Sequence, residues 1–212
     1  MSHGVHAVQH EVEHKIEHDE HGGKHSGDHS RNKKIALLIA VMALFLAISE
    51  TMGKSAQTSA LNYQIEASNL WNFFQAKNIR RTVTIVASES AKSDAIVASD
   101  PAQKEALAKQ IDNWAKTAER YRTEPEAGGG KGEGTIELSR RALQEQEKRD
   151  TALARYHHYE IASAGFQIGI VLASATVITG MIVLSYLAIG LGLVGIGFVG
   201  IGLFAPHAVH LF

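Results

Sequence analysis

The chain has 212 residues, of which 45% are apolar and 20% are charged, and its net charge is −1. All 21 Lys and Arg and all 22 Asp and Glu lie at or before Glu160, so the last quarter of the chain has no charged side chain. The near-zero net charge argues against a general nucleic-acid binder. The absence of cysteine excludes disulfides, thiolate metal sites and cysteine catalysis.

The first 30 residues repeat histidine every three or four positions, at 3, 6, 10, 14, 18, 21, 25 and 29. At 100° per residue all eight fall within an arc of about 140°, and Val5, Val8, Val12 and Ile16 lie opposite. This phase predicts an amphipathic helix that Gly22-Gly23 interrupts.

Three interpretations of the histidine face stay open. It can bind Zn, Ni or Cu, because imidazoles four residues apart on a helix can chelate a metal ion. It can sense pH, or it can be the polar side of a surface helix whose valines pack on a partner. The candidate metal ligands are His6, His10, His14, His18, His21, His25 and His29.

The first apolar stretch, residues 35–49, favours a retained transmembrane helix over 33–53, with a cleaved signal or an interfacial helix as the alternatives. Arg31, Lys33 and Lys34 stand directly before it, which favours a cytoplasmic N-terminus.

Residues 54–160 predict an extramembrane helical region, a hairpin or coiled coil. Asp100-Pro101 marks a helix start and the glycine-rich stretch 125–134 marks a loop, which gives helices near 50–98, 101–123 and 136–160. The first of these continues the first span and the third runs into the second. Apolar residues recur at helical spacing without a regular heptad, at Leu61, Ile65, Leu70, Phe73 or Phe74, Ile79, Val83 and Val86.

The uncharged tail is about twice too long for one span, so it predicts two helices, 162–184 and 188–205. Gly180, Ser185 and Gly190 are candidates for the turn between them, and Pro206 ends the last helix.

Glycines in these two spans indicate close helix packing, within an oligomer or against a larger membrane protein. In the last span the helical angles separate residues 192, 195 and 202 from residues 190, 197 and 200. The candidate packing residues are Gly165, Gly169, Gly192, Gly195 and Gly202.

Two blocks of this sequence, ASNLWNFFQAKNI at 67–79 and FQIGI at 166–170, resemble bacterial membrane proteins of domain-of-unknown-function family 4337. The resemblance extends over essentially the whole chain. It implies a multi-pass protein of the bacterial inner membrane with a helical extramembrane region. It implies no activity, cofactor or catalytic residue.

The sequence therefore predicts an all-α membrane protein with three transmembrane helices. The predicted function is a non-enzymatic interaction, scaffold or accessory subunit that forms a homo-oligomer or docks on a membrane complex. The alternative is a metal-handling protein that uses the histidine face. An oligomeric channel is a weaker third hypothesis, because only Gln167 and a few Ser and Thr residues offer a polar pore.

Overall fold

The computed structural model describes residues 26–125 and 131–208, and these form four helices without a strand. In chain order they are α1 (Ser26–Val97), α2 (Pro101–Arg122), α3 (Thr135–Thr179) and α4 (Ile182–Phe204). The predicted all-α fold is therefore confirmed. Three of them, α1, α3 and α4, each contain an apolar stretch long enough to cross a membrane.

The junction between α1 and α2 follows the local rules for helix ends. Proline disfavours helical backbone at the residue before it, and Asp100 is extended at φ −79° and ψ 124°. The Asp100 side chain accepts a hydrogen bond from the Ala102 amide at 3.0 Å, which caps α2. Arg120 and Arg122 occupy the last turn of α2, where their positive charges interact favourably with the negative end of the helix dipole.

The turn between α3 and α4 lies at Gly180 and Met181, so the predicted inner ends of the two spans, residues 184 and 188, are wrong, whereas α4 ends at Phe204, within one residue of the predicted end at 205. Gly180 has a φ of +72°, a conformation that a residue with a Cβ adopts at a steric cost. Its amide bonds the Thr176 carbonyl at 2.9 Å and thereby closes the last turn of α3. Ser185 and Gly190, the other two candidates, both lie inside α4.

The chain divides into two compact units, and the first comprises its described residues up to Ala60 and from Asp150 onward. We call it the apolar unit. In its core, α1 places apolar residues at steps of four and three against a similar row on α3. Packing at this spacing is typical of helices that run nearly side by side. The buried core residues are Ile35, Ile39, Met42 and Leu46 from α1, Ala162, Phe166, Ile170 and Ala173 from α3, and Ala188 from α4.

The second unit, Leu61–Arg149, is the charged unit. Its small core consists of Leu70, Leu138 and Ala142, with Trp71 and Phe74 packed against it. The two aromatic rings meet edge to face with their centroids 5.4 Å apart.

The buried side of α1 in the charged unit differs from the apolar face that the sequence predicts. Of that face Leu70 is buried, but most of the other members are exposed. The buried positions instead carry mainly small or polar side chains, and the largest polar one, Lys77, is paired with Glu124. The buried residues of this segment of α1 are Ala67, Leu70, Lys77, Ser88 and Ala91.

Candidate functional site: a polar cleft, a glycine seam and an exposed aliphatic stripe

A polar cleft of about 430 Å³ lies between α1 and α3 where the uncharged part of α3 begins. Ser49 donates a hydrogen bond to the Tyr159 carbonyl oxygen at 2.9 Å, which fixes the two helices against each other. Gln167 Nε2 donates to Glu50 Oε1 at 3.3 Å, and Lys54 also lines the cleft. The cleft therefore holds polar groups at the end of an otherwise apolar helix pair.

Two tyrosines of this cleft keep their phenol groups neutral. Burial raises the pKa of Tyr156 above its ordinary value, and the charge and hydrogen bond of Glu160 raise it further. Burial likewise raises the pKa of Tyr159, which Arg155 partly offsets. Both phenols therefore keep their protons at neutral pH, and the Tyr156 hydroxyl donates a hydrogen bond to Glu160.

The cleft holds two carboxylates, and both act as hydrogen-bond acceptors. Glu50 accepts from Gln167, and Glu160 accepts from the Tyr156 hydroxyl at 3.3 Å. The hydroxyl of Ser49, which precedes Glu50 in the sequence, donates to a backbone carbonyl. General-base activation requires a base within hydrogen-bond reach of a nucleophile. The geometry of this cleft supports positioning of α1 against α3.

His158 fastens the end of α4 to α3. Its imidazole is 1% exposed, and its Nε2 lies 3.0 Å from the Pro206 carbonyl oxygen, to which it donates. A second hydrogen bond joins the segment after α4 to α3, because His207 Nε2 lies 3.0 Å from the Thr151 hydroxyl. Both contacts fix the C-terminal end of α4 inside the apolar unit.

The glycines of α4 have two different environments. A Cβ at Gly195 would lie 2.9 Å from the Phe166 ring, and one at Gly202 would lie 2.8 Å from Tyr159. By contrast, a Cβ at position 190, 197 or 200 would meet no atom of another helix within 4 Å among the described residues. One side of α4 therefore packs against α3, and the other faces away from the rest of the apolar unit.

Two further glycines surround the side chain of Met42. A Cβ at Gly169 would overlap the Met42 methyl group, and one at Gly192 would lie 3.4 Å from it. Gly165 approaches the backbone of α4, because a Cβ there would lie 3.4 Å from the Leu191 carbonyl oxygen. All five candidate packing glycines thus lie at contacts between helices within one chain.

An exposed aliphatic stripe runs along α1 in the charged unit. Its five side chains are 59–64% exposed, and at 100° per residue they fall within an arc of about 60°. The stripe consists of two groups, 61–65 and 79–86, separated on the same side of α1 by the exposed polar residues Ser68 and Asn72. Exposed apolar surface of this kind is a candidate interaction site. The stripe consists of Leu61, Ile65, Ile79, Val83 and Val86.

The family model described as "Domain of unknown function (DUF4337)" matches residues 31–205. The chain belongs to this family. No curated protein and no solved structure matches it. The matched range contains the cleft, the packing glycines and the aliphatic stripe.

The histidine face precedes the matched range of the family. Of its candidate metal ligands, residues 6–25 lie outside the described part of the chain, and the structure describes only the backbone of His29, within α1. Across residues 26–125 and 131–208, no group of three or more metal-binding side chains could hold an ion.

Proposed function

We propose that this member of the family is a non-enzymatic interaction protein of the bacterial inner membrane. In this proposal the apolar unit spans the bilayer with three helices, and the charged unit stands outside it. The N-terminus is cytoplasmic, and the chain assembles with a second copy of itself through the aliphatic stripe.

Membrane embedding is supported by how little of the apolar surface the chain itself covers. Only 17% of the apolar stretch of α4 is buried, and 28% of that of α1. Leu193 is 65% exposed and Phe204 is 88% exposed. In water this surface would be strongly unfavourable, whereas lipid tails cover it at no such cost.

The observation that carries the interaction role is the aliphatic stripe. It lies in the charged unit, where α1 also carries exposed charged residues such as Glu89 and Lys92. Lipid therefore does not cover the stripe, and we infer that another protein surface covers it. Burial of each such side chain contributes roughly 1.5–3 kcal/mol.

A second copy of α1 fits the spacing of this stripe. Positions 79, 83 and 86 follow one another at steps of four and three, and positions 61 and 65 are one step of four. This is the repeat with which two helices pack side by side along a shared seam. Since the same repeat is present in every copy, α1 is complementary to itself.

The proposal is tested on the full chain, purified in mild detergent, by the molar mass of the protein after subtraction of bound detergent. The wild-type protein should have a multiple of the 22.9 kDa chain mass. The triple variant I79Q/V83Q/V86Q should be monomeric. As a matched control, I96Q removes an aliphatic side chain that is 81% exposed and lies off the stripe, so the assembly should persist.

Two results would contradict the proposal. A monomeric wild-type protein would contradict assembly with a second copy, and the absence of any co-purifying protein as well would remove the interaction role. Release of the chain from membranes by alkaline carbonate, with solubility retained without detergent, would remove the membrane embedding.

A further inference from the structure

A groove of about 460 Å³ lies between the start of α1 and the start of α4, at the opposite end of the apolar unit from the polar cleft. Its polar lining includes Arg31 and Lys34 from α1, and Ser185 and Tyr186 from α4. Its apolar lining includes Leu38 and Ile189, one helical turn further along each helix. The groove therefore has a basic end and an apolar end.

The basic end is built for an anion. At 100° per residue, Arg31 and Lys34 project about 60° apart on α1. The Arg31 and Lys34 side chains therefore line the same groove. None of the described residues that line the groove is acidic. The first turn of α4 adds the positive end of a helix dipole, and its N-cap residue Met181 makes no side-chain capping hydrogen bond.

The apolar end is built for a hydrocarbon chain. Leu38 and Ile189 belong to the uncharged stretches of α1 and α4, which we place in the bilayer. Tyr186 is 67% exposed beside them, and tyrosine is common at the boundary between headgroups and tails. A ligand that fills the groove thus needs a negative group joined to an acyl chain.

We propose that this groove binds an anionic phospholipid, with the headgroup phosphate on Arg31 and Lys34 and an acyl chain along Leu38 and Ile189. The inference rests on the proposed membrane embedding of the apolar unit. It goes further, because it names a specific lipid class and the residues that select it. Basic grooves between transmembrane helices are suited to anionic headgroups.

Lys33 provides a matched control within the same cluster. Lys33 and Lys34 are both exposed and carry the same charge, but Lys33 projects about 100° from Lys34 and does not line the groove. Loss of either lysine changes the general surface charge equally. Only loss of Lys34 changes the groove.

The test is native mass spectrometry of the full chain in detergent, titrated with phosphatidylglycerol or with phosphatidylcholine. We expect one phosphatidylglycerol to bind preferentially. K34Q should weaken it by about fivefold, whereas K33Q and the charge-preserving K34R should retain it. Melting temperatures measured without lipid check that the variants are folded. Free glycerol phosphate should compete poorly, because it lacks the acyl chain.

Three results would overturn the inference: equal binding of the two lipids, equal weakening by K33Q and K34Q, or equal competition by glycerol phosphate and by the lipid. None of these results bears on the membrane embedding, which carbonate extraction measures separately. Lipid binding of K33Q and K34Q is compared in detergent, so the comparison is informative whether or not the membrane embedding is correct.

Discussion

The Nζ atom of Lys77 lies 2.7 Å from Oε2 of Glu124, and this ion pair joins α1 to the second residue after α2. The Lys77 side chain is only 8% exposed, and it also lies 3.7 Å from Oε2 of Glu133. The Glu124 carbonyl accepts from the Glu133 amide at 3.1 Å, so the lysine holds both ends of the glycine-rich loop. Removal of a buried cation that has two carboxylate partners destabilises the fold more than removal of a surface cation.

Loss of the Lys77 charge should therefore destabilise the charged unit. K77M retains much of the hydrophobic stem but leaves Glu124 and Glu133 without their cation. We expect the melting temperature to fall by roughly 3–6 °C, measured by circular dichroism in detergent. K92M is the control, because Lys92 and Glu89 form an exposed pair within one helix, and it should change the melting temperature by less than about 2 °C. Equal effects of the two substitutions would show that Lys77 has no special role.

The same ion pair predicts a pH dependence of stability. The hydrogen bond and the charge of Lys77 lower the pKa of Glu124 from its ordinary value of 4.5. The folded state thus binds this proton less tightly than the unfolded state, so the stabilisation is complete above the ordinary value and is lost as the pH falls below it. Melting temperatures of the wild type should fall between about pH 5 and pH 3, and those of E124Q should fall less steeply.

The control for the pH series is E105Q, which removes a carboxylate of an exposed pair within α2. It should keep the steep profile of the wild type. A profile of E124Q as steep as that of the wild type would instead assign the acid sensitivity to other carboxylates.

The glycines of α4 should respond to alanine according to the side of the helix on which they lie. G195A forces a methyl group against Phe166 and G202A forces one against Tyr159, so each should destabilise the apolar unit by about 1–3 kcal/mol. G197A and G200A meet no described atom of another helix within 4 Å and should be neutral or slightly stabilising. Thermal unfolding in detergent distinguishes these pairs, and a uniform effect at all four positions would contradict the packing of α4 on α3.

The metal hypothesis for the histidine face depends on the regular spacing of its histidines, so it is tested by changing that spacing. Calorimetric titration of the full chain with Zn, Ni and Cu should give tighter binding than that of a variant with the same eight histidines at irregular spacing. Pairs of imidazoles at four-residue spacing can share one ion, and irregular spacing removes most such pairs. Equal affinities would reduce the histidine face to an unspecific metal-binding segment.

Much of this fold follows from local sequence signals, and the missing parts depend on tertiary contacts. Asp100-Pro101 and the glycine-rich loop define helix ends through backbone chemistry, so the ends of α2 and the start of α3 are predicted within about two residues. The turn at Gly180 is harder to predict, because Ser185 and Gly190 are equally plausible breakers. In the structure Gly180 ends α3 because it adopts a positive φ, and the Thr179 hydroxyl accepts a hydrogen bond from the Met181 amide.

Side-chain burial is the less predictable property. An apolar repeat on a helix normally indicates its buried side, yet Ile79, Val83 and Val86 are exposed while Lys77 and Ser88 are buried. Hydrophobic periodicity cannot distinguish a face that packs within the chain from one that packs on a partner. The Lys77 ion pair joins residues 47 positions apart, and no local pattern indicates it.

The most direct measurement of the central claim uses the absence of cysteine from this chain. Val83→Cys places a single thiol on the aliphatic stripe, and Ile96→Cys places one on the same helix off the stripe. Oxidation in native membranes should link two copies through position 83 and leave the position 96 variant monomeric on a non-reducing gel. Equal cross-linking at both positions, or none at position 83, would contradict assembly through this stripe.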